Sequence, residues 1–216
     1  CRTELTVIDH HKTAEENLAN LPFARFDKSK SGAVLAWEYF REHEPDYVYG
    51  EAPLLMRYVQ DRDLWQWALH KSKEVSAALA SMPKTFKVWT DIVDAGEQGI
   101  EDLMKQGEAI LRYQEQAVES IVLKAQYPCF TAGVLTVRVN TAVLQSEVCH
   151  RLLELYPEAS IAAAYYEEPS TKRVASVRRN VSLRSRPGFD ASAVAKLFLG
   201  GGHPQACGYS EEVYPA

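Results

Sequence analysis

The sequence predicts an α/β protein in two lobes joined by helices, and three observations carry that expectation. A short β-branched run, Glu4 to Asp9, is followed by helical patterns with no returning hairpin, which suits a parallel sheet. The stretch from His70 to about Tyr127 reads as helix throughout. After Pro128 the texture changes to alternating strand-like and helical segments. The expected boundaries are residues 1–75 for a partial parallel-sheet domain, 76–125 for a helical connector and 126–216 for a smaller C-terminal α/β domain.

Each element has a local reason. "ELTVID" has Thr6, Val7 and Ile8 in a row and stops at polar residues, as a strand buried on both faces would. "KTAEENLANL" is a short acidic helix. Ser31 is placed to cap a helix that carries Val34, Leu35, Trp37, Tyr39 and Phe40 at helical spacing. "APLLMRYVQDRDLWQW" reads as a further helix with Pro53 in its first turn. "KSKEVSAALASM" and "TFKVWTDIVDAG" follow, separated by Pro83, and Gly96 closes the second. Ile100, Leu103, Met104, Ile110, Leu111, Val118, Ile121 and Val122 form one stripe of a long helix. It suits a connector and a helix packed on one core equally. Beyond Pro128, "FTAGVLTVRVN", "ASIAAAYYEE" and the basic "KRVASVRRNVSLRSR" read as strands, the last as one strand or two with a turn. "QSEVCHRLLELY" and "DASAVAKLF" read as helices, with Asp190 capping the second.

The bulk composition excludes several classes of function. Apolar residues make up 46% of the 216 and charged residues 25%, an ordinary globular mixture. No apolar run approaches the roughly 20 residues that span a bilayer. No basic start followed by an apolar block marks a signal peptide. A net charge of −5 argues against a non-specific nucleic-acid coat protein. Cys1, Cys129, Cys149 and Cys207 lack metal or redox spacing and read as free thiols. The expected location is the cytoplasm.

Three constellations carry chemistry. Gly200-Gly201-Gly202-His203 follows a helix, and such a run is favoured where something approaches the backbone closely. Its bare amides suit a phosphate, although a tight turn around a buried His reads equally well. In "NVSLRSR", strand alternation sets Val181 and Leu183 on one face and Ser182, Arg184 and Arg186 on the other. Arg173, Arg178 and Arg179 add charge nearby. A guanidinium fork matches phosphate oxygens, and the Gly-rich loop about 14 residues further on favours an anionic ligand over a merely solvated strand. Third, Asp9-His10-His11 ends a strand at the sheet edge where α/β enzymes build sites. Adjacent strand residues point to opposite faces, so the two imidazoles share one ligand only if the chain turns there. Asp61 and Asp63, about 50 residues later, face apart on a helix.

The pieces "VIDHHKT", "SGAVLAW", "VQDRDLW", "NVSLRSR" and "GGGHPQACGY", in that order, resemble the DHH phosphoesterase superfamily in its branch with a C-terminal DHHA1 domain. That branch includes RecJ-like exonucleases, nanoRNase-type phosphatases and cyclic-dinucleotide phosphodiesterases. The run from "SGAVLAW" to "DRDLW" is most similar to oligoribonuclease-like members.

The resemblance implies a metal-dependent phosphoester hydrolase acting on short oligonucleotides or nucleotide phosphates, with two Mn2+ or Mg2+ ions. It implies His10 as a metal ligand flanked by Asp9 and His11, and Asp61 as the later carboxylate ligand with Asp63 its rival. Ser182, Arg184, Gly200, Gly201, Gly202 and His203 would hold the substrate. The partner implied is an oligonucleotide or nucleotide, with no membrane; a homodimer is left open. Family motifs that precede the DHH motif have no counterpart in the eight residues ahead of Asp9. The resemblance therefore implies an N-terminally incomplete member, with a truncated phosphate-binding module without catalysis as the alternative.

Overall fold

The computed structural model describes residues 5–44, 46, 50–170 and 177–213. The chain divides into two compact units, Cys1–Gln114 and Glu115–Ala216. Cys1, Arg173 and the start of the basic stretch lie outside the described residues.

In the first unit, β1 (Val7–Asp9) pairs in parallel with β2 (Ala24–Phe26), and α1 (Lys12–Leu18) connects them. The parallel sheet expected here is thus reduced, among the described residues, to two strands of three residues. The expectation that β1 is buried on both faces is also corrected. β1 is only half-buried, because α1 contributes no buried residue to cover it.

α2 (Gly32–His43) begins at Ser31, whose hydroxyl accepts the Val34 amide as the sequence predicts. α3 (Leu54–Asp63) begins at Pro53, and α4 (Ser72–Ser81), α5 (Phe86–Asp94) and α6 (Gly96–Val122) follow. Leu55 and Tyr58 of α3, Val75 and Ala78 of α4, and Ile100 and Leu103 of α6 form one apolar core. The helices of the expected connector are therefore packed with α3. α4 and α6 touch so closely that a Cβ on Gly107 would lie 1.9 Å from the Glu74 carbonyl oxygen. α3 ends earlier than its apolar pattern suggests, for a reason found in Asp61 and described below.

The second unit is a six-stranded sheet in the order β3-β4-β5-β6-β8-β7. Its strands are β3 (Gln126–Thr131), β4 (Val134–Asn140), β5 (Ile161–Pro169), β6 (Val177–Ser185), β7 (Gly201–His203) and β8 (Ala206–Val213). Among its described residues, only β4 and β5 pair in parallel, across α7 (Gln145–Leu155), and the other pairings are antiparallel. α8 (Ala191–Leu197) precedes β7.

Strand alternation sends Val137, Val139, Ala162 and Ala164 to one face, against Val148, Cys149, Leu152 and Leu153 of α7 and Val118 and Val122 of α6. Ile161, Ala163, Val181, Leu183 and Cys207 fill the other face against Ala191, Val194 and Ala195 of α8. The fold is mixed α/β, with a mostly antiparallel principal sheet in place of a parallel-sheet DHH domain.

Candidate functional site

β1 delivers Asp9, His10 and His11 at its carboxyl end, and the chain turns there before α1. Asp9 makes the turn. Its Oδ1 accepts the His10 amide at 2.6 Å and the His11 amide at 3.1 Å, and lies 2.7 Å from His11 Nδ1. Burial alone would raise the Asp9 carboxyl, but these bonds and the charge of His11 hold it below the ordinary value of 3.8. Because the strand has already ended, the two imidazoles do not diverge. Their rings meet edge to face with centroids 4.5 Å apart.

His10 is 5% exposed, and its Nε2 lies 3.5 Å from Oδ2 of Asp63, whose side chain is 44% exposed. Asp63 is the last residue of α3. Asp61, two positions earlier and 3% exposed, turns the other way, as helical geometry dictates. Its Oδ1 accepts the Ala68 amide at 2.9 Å and its Oδ2 the Leu69 amide at 3.3 Å. The structure thus brings Asp9, His10, His11 and Asp63 together and assigns Asp61 to the loop after α3. That anchorage, with Gln66 N donating to the Asp61 carbonyl, ends the helix.

The loop so pinned carries Trp65 at φ 56° and Trp67 at φ 53°. A bulky side chain in this left-handed region costs on the order of 1–3 kcal/mol and persists only where its surroundings enforce it. The sequence pattern reads these residues as helical and misses the loop. The visible signal is the W-x-W spacing straight after a polar helix end.

In the second unit, cross-strand register groups the other predicted residues. Arg184 lies opposite Ala206, which lies opposite His203; Ser182 lies opposite Gly208, which lies opposite Gly201. All six positions share one face by strand periodicity, the face that α7 also covers. Arg184 is held by Ser146 Oγ, which accepts from Nη2 at 2.6 Å, and by the Leu183 carbonyl at 2.8 Å. Ser182 donates to Gln145 Oε1 at 2.8 Å. Gln145 and Ser146, at the start of α7, are supports that the sequence reading does not single out.

Gly200 and Gly202 have a reason internal to the fold. A Cβ on Gly200 would lie 2.1 Å from the Gly208 carbonyl oxygen, and one on Gly202 would lie 2.7 Å from that of Ala206. The close neighbour of these two glycines is strand β8. Of the remaining arginines, Arg186 bonds the Ala159, Tyr156 and Leu153 carbonyls. Arg179 pairs with Glu167 at 2.6 Å and Glu211 at 3.5 Å. Much of the basic charge read from the sequence is therefore spent within the unit, while Arg184 stays on the face shared with His203. Cys149 and Cys207 are thiols pushed up to about 12 by burial, which leaves them inert at neutral pH.

No family model matches the chain. An uncharacterised protein, R106, of Acanthamoeba polyphaga mimivirus is 27% identical over 212 residues, covering 94% of this chain and 46% of the relative. The chain thus spans about half the length of the curated relative it matches. Among solved structures, an uncharacterised protein from Helicobacter pylori G27 is 15% identical, with a TM-score of 0.36, over 96% of this chain and 69% of that one. A pGpG-specific phosphodiesterase, PggH, from Vibrio cholerae is 12% identical, with a TM-score of 0.45, over 90% of this chain and 72% of that one.

These findings correct the resemblance to the DHH phosphoesterase superfamily and the DHHA1 label with it. Five short motifs carried it, no family model supports it, and the sheet is of another kind. Two of those motifs have local explanations. Asp-His-His makes the turn that ends β1, and Gly200 and Gly202 admit β8.

Proposed function

We propose that this chain serves a divalent-cation-dependent phosphoester hydrolase acting on short oligonucleotides or nucleotide phosphates. The observation that carries the proposal is the pair His10 Nε2 and Asp63 Oδ2, 3.5 Å apart at a strand end, with His11 beside it and oriented by Asp9. Cation bonds of about 2.1 Å place neighbouring donors about 3 Å apart, a gap that a small rotation of the more exposed Asp63 closes. Imidazole with carboxylate suits Mn2+ better than Mg2+. Asp9 Oδ1 and both Asp61 oxygens already accept hydrogen bonds. This donor set therefore fits one cation better than two.

When bound, the cation would neutralise phosphate oxygens and support the charge developing on phosphorus. The chain's own residues supply the rest. Asp9 fixes the His11 ring through Nδ1, leaving Nε2 as the nitrogen that would carry a proton. Within the second unit, taken by itself, Arg184 offers a guanidinium to a phosphate, with Ser182 and His203 on the same face of its sheet.

The test is Mn2+ titration by calorimetry, together with hydrolysis of a two-to-five-nucleotide RNA. One Mn2+ site lost in both His10→Ala and Asp63→Ala, with loss of hydrolysis, is the expected result. Asp9→Asn, which weakens the hold on His11, should lower activity by about 10- to 100-fold, the scale seen when a partner that orients a site imidazole is removed. Hydrolysis that survives both ligand changes excludes this centre. Nucleotide binding that depends on Arg184 and His203, ignores chelator and leads to no cleavage would instead make the chain a phosphate-binding module.

A further inference from the structure

We propose that Trp65, Trp67 and Arg62 form a stacking platform for a nucleobase. The inference rests on the reading of the adjoining His10–Asp63 end as a place where nucleotides are handled, and it names how the base is recognised.

The two indoles sit edge to face, with centroids 5.0 Å apart. The Arg62 guanidinium lies 4.3 Å from the Trp65 centroid and 5.3 Å from that of Trp67. Lys73 Nζ lies 5.9 Å from the Trp67 centroid. Aromatic faces interleaved with cations are what a nucleotide needs, because every base has a π-face and every phosphate a negative charge.

Core packing does not account for the pair. The apolar core of this unit takes Leu69 and Trp89 as its flanking residues, and neither Trp65 nor Trp67 is among the described residues packed on it. Both stay only half-buried. Two indoles outside the core, each on a left-handed residue, are an expensive arrangement. It is nonetheless enforced: buried Asp61 holds the loop through the Ala68 and Leu69 amides, and the Tyr58 hydroxyl donates to the His70 carbonyl at 2.9 Å. Rigid aromatic rings fixed in advance lose little freedom when a base stacks on them. Asp63, which meets His10, is two residues from Trp65 along the chain.

The experiment compares GMP with ribose 5-phosphate, which has the phosphate but no base, by calorimetry of the full chain in chelator. Trp67→Gly is the principal variant, since glycine accepts φ 53° without strain; Trp67→Phe retains a ring. The expected result is a Kd for GMP raised about ten-fold in Trp67→Gly, with ribose 5-phosphate changed by less than about two-fold, as loss of one stacked base predicts. Trp67→Phe should recover most of the GMP affinity, and GMP should quench wild-type indole emission.

Equal affinity of the wild type for the two ligands, equal losses of both in Trp67→Gly, or no GMP binding at all overturns the platform. Failure of the hydrolysis reading looks different, since RNA then stays uncut in Mn2+ while base discrimination and its loss in Trp67→Gly persist.

Discussion

In the second unit the sheet is covered on both faces by side chains such as Val137, Leu152, Ile161 and Leu183, each fully buried. At the amino end of the first unit, among residues 5–26, the one buried residue is His10. The first region is positioned by the hydrophobic effect, which is strong but non-directional. The amino end is positioned by directional tethers, three contacts to one oxygen of Asp9; elsewhere in the unit, two amides on Asp61 and the Gln60 side chain, which accepts the Ser31 amide at 2.9 Å, act in the same way. Tethers of this kind place individual atoms, as a site requires. They contribute less to stability, because each hydrogen bond exchanges for one with water.

The sharpest way to break this comparison is to remove an apolar side chain where burial dominates. Leu183→Ala, between β6 and α8, should cost about 2–5 kcal/mol, the range for buried leucine truncation, read as a lowered denaturant midpoint. A cost under about 1 kcal/mol, the level of an ordinary surface change, would mean that the second unit does not depend on its core. Gly107→Ala comes next and probes a close approach of two helices in the first unit, α4 and α6. The added methyl meets the Glu74 carbonyl, and separating α4 from α6 should cost about 1–3 kcal/mol, as overpacking does. A neutral result would show that the helices can slide apart freely.

The difference between the regions also explains what was legible in the sequence. Ser31 and Asp190 announce helix starts because capping is a local transaction, and both cap with their side chains; Pro53, expected in the first turn of α3, stands just before it and makes no side-chain cap. In the second unit β5 and β6 are legible as strands, whereas β3 and β4 read as one run although a turn at residues 132 and 133 divides them, and β7 and β8 do not read as strands. The extent of the parallel sheet is not legible either. Val7 and Ile8 resemble a buried strand by composition, yet only pairing and covering elements decide burial, and no short stretch contains those.

At the candidate site, residue types were legible and partners were not. Two carboxylates two residues apart, Asp61 and Asp63, look equivalent as letters. Which one reaches His10 depends on the loop at residues 64–69, whose left-handed tryptophans defeat a helical periodicity. The Gly triplet misled for a related reason: a close approach was correctly implied, but for Gly200 and Gly202 the approaching group is the chain's own β8.

The smallest effects come from comparing like with like across the two units, at their capped helices. Asp190 Oδ1 accepts the Ser192 amide at 3.0 Å and the Ser192 hydroxyl at 2.5 Å, and its charge lies favourably at a helix start. Ser31 Oγ accepts the Val34 amide at 3.4 Å, near the limit of a useful bond. N-cap truncations span about 0.5–2 kcal/mol, so Asp190→Ala belongs at the upper end and Ser31→Ala at the lower. In Ser31→Ala the bond from the backbone amide to Gln60 survives, since it does not use the hydroxyl. Thermal melts of the two variants should therefore differ, with the larger fall in Tm for Asp190→Ala. If Ser31→Ala proves as costly, the hydroxyl of Ser31, a residue 1% exposed, does more than cap α2.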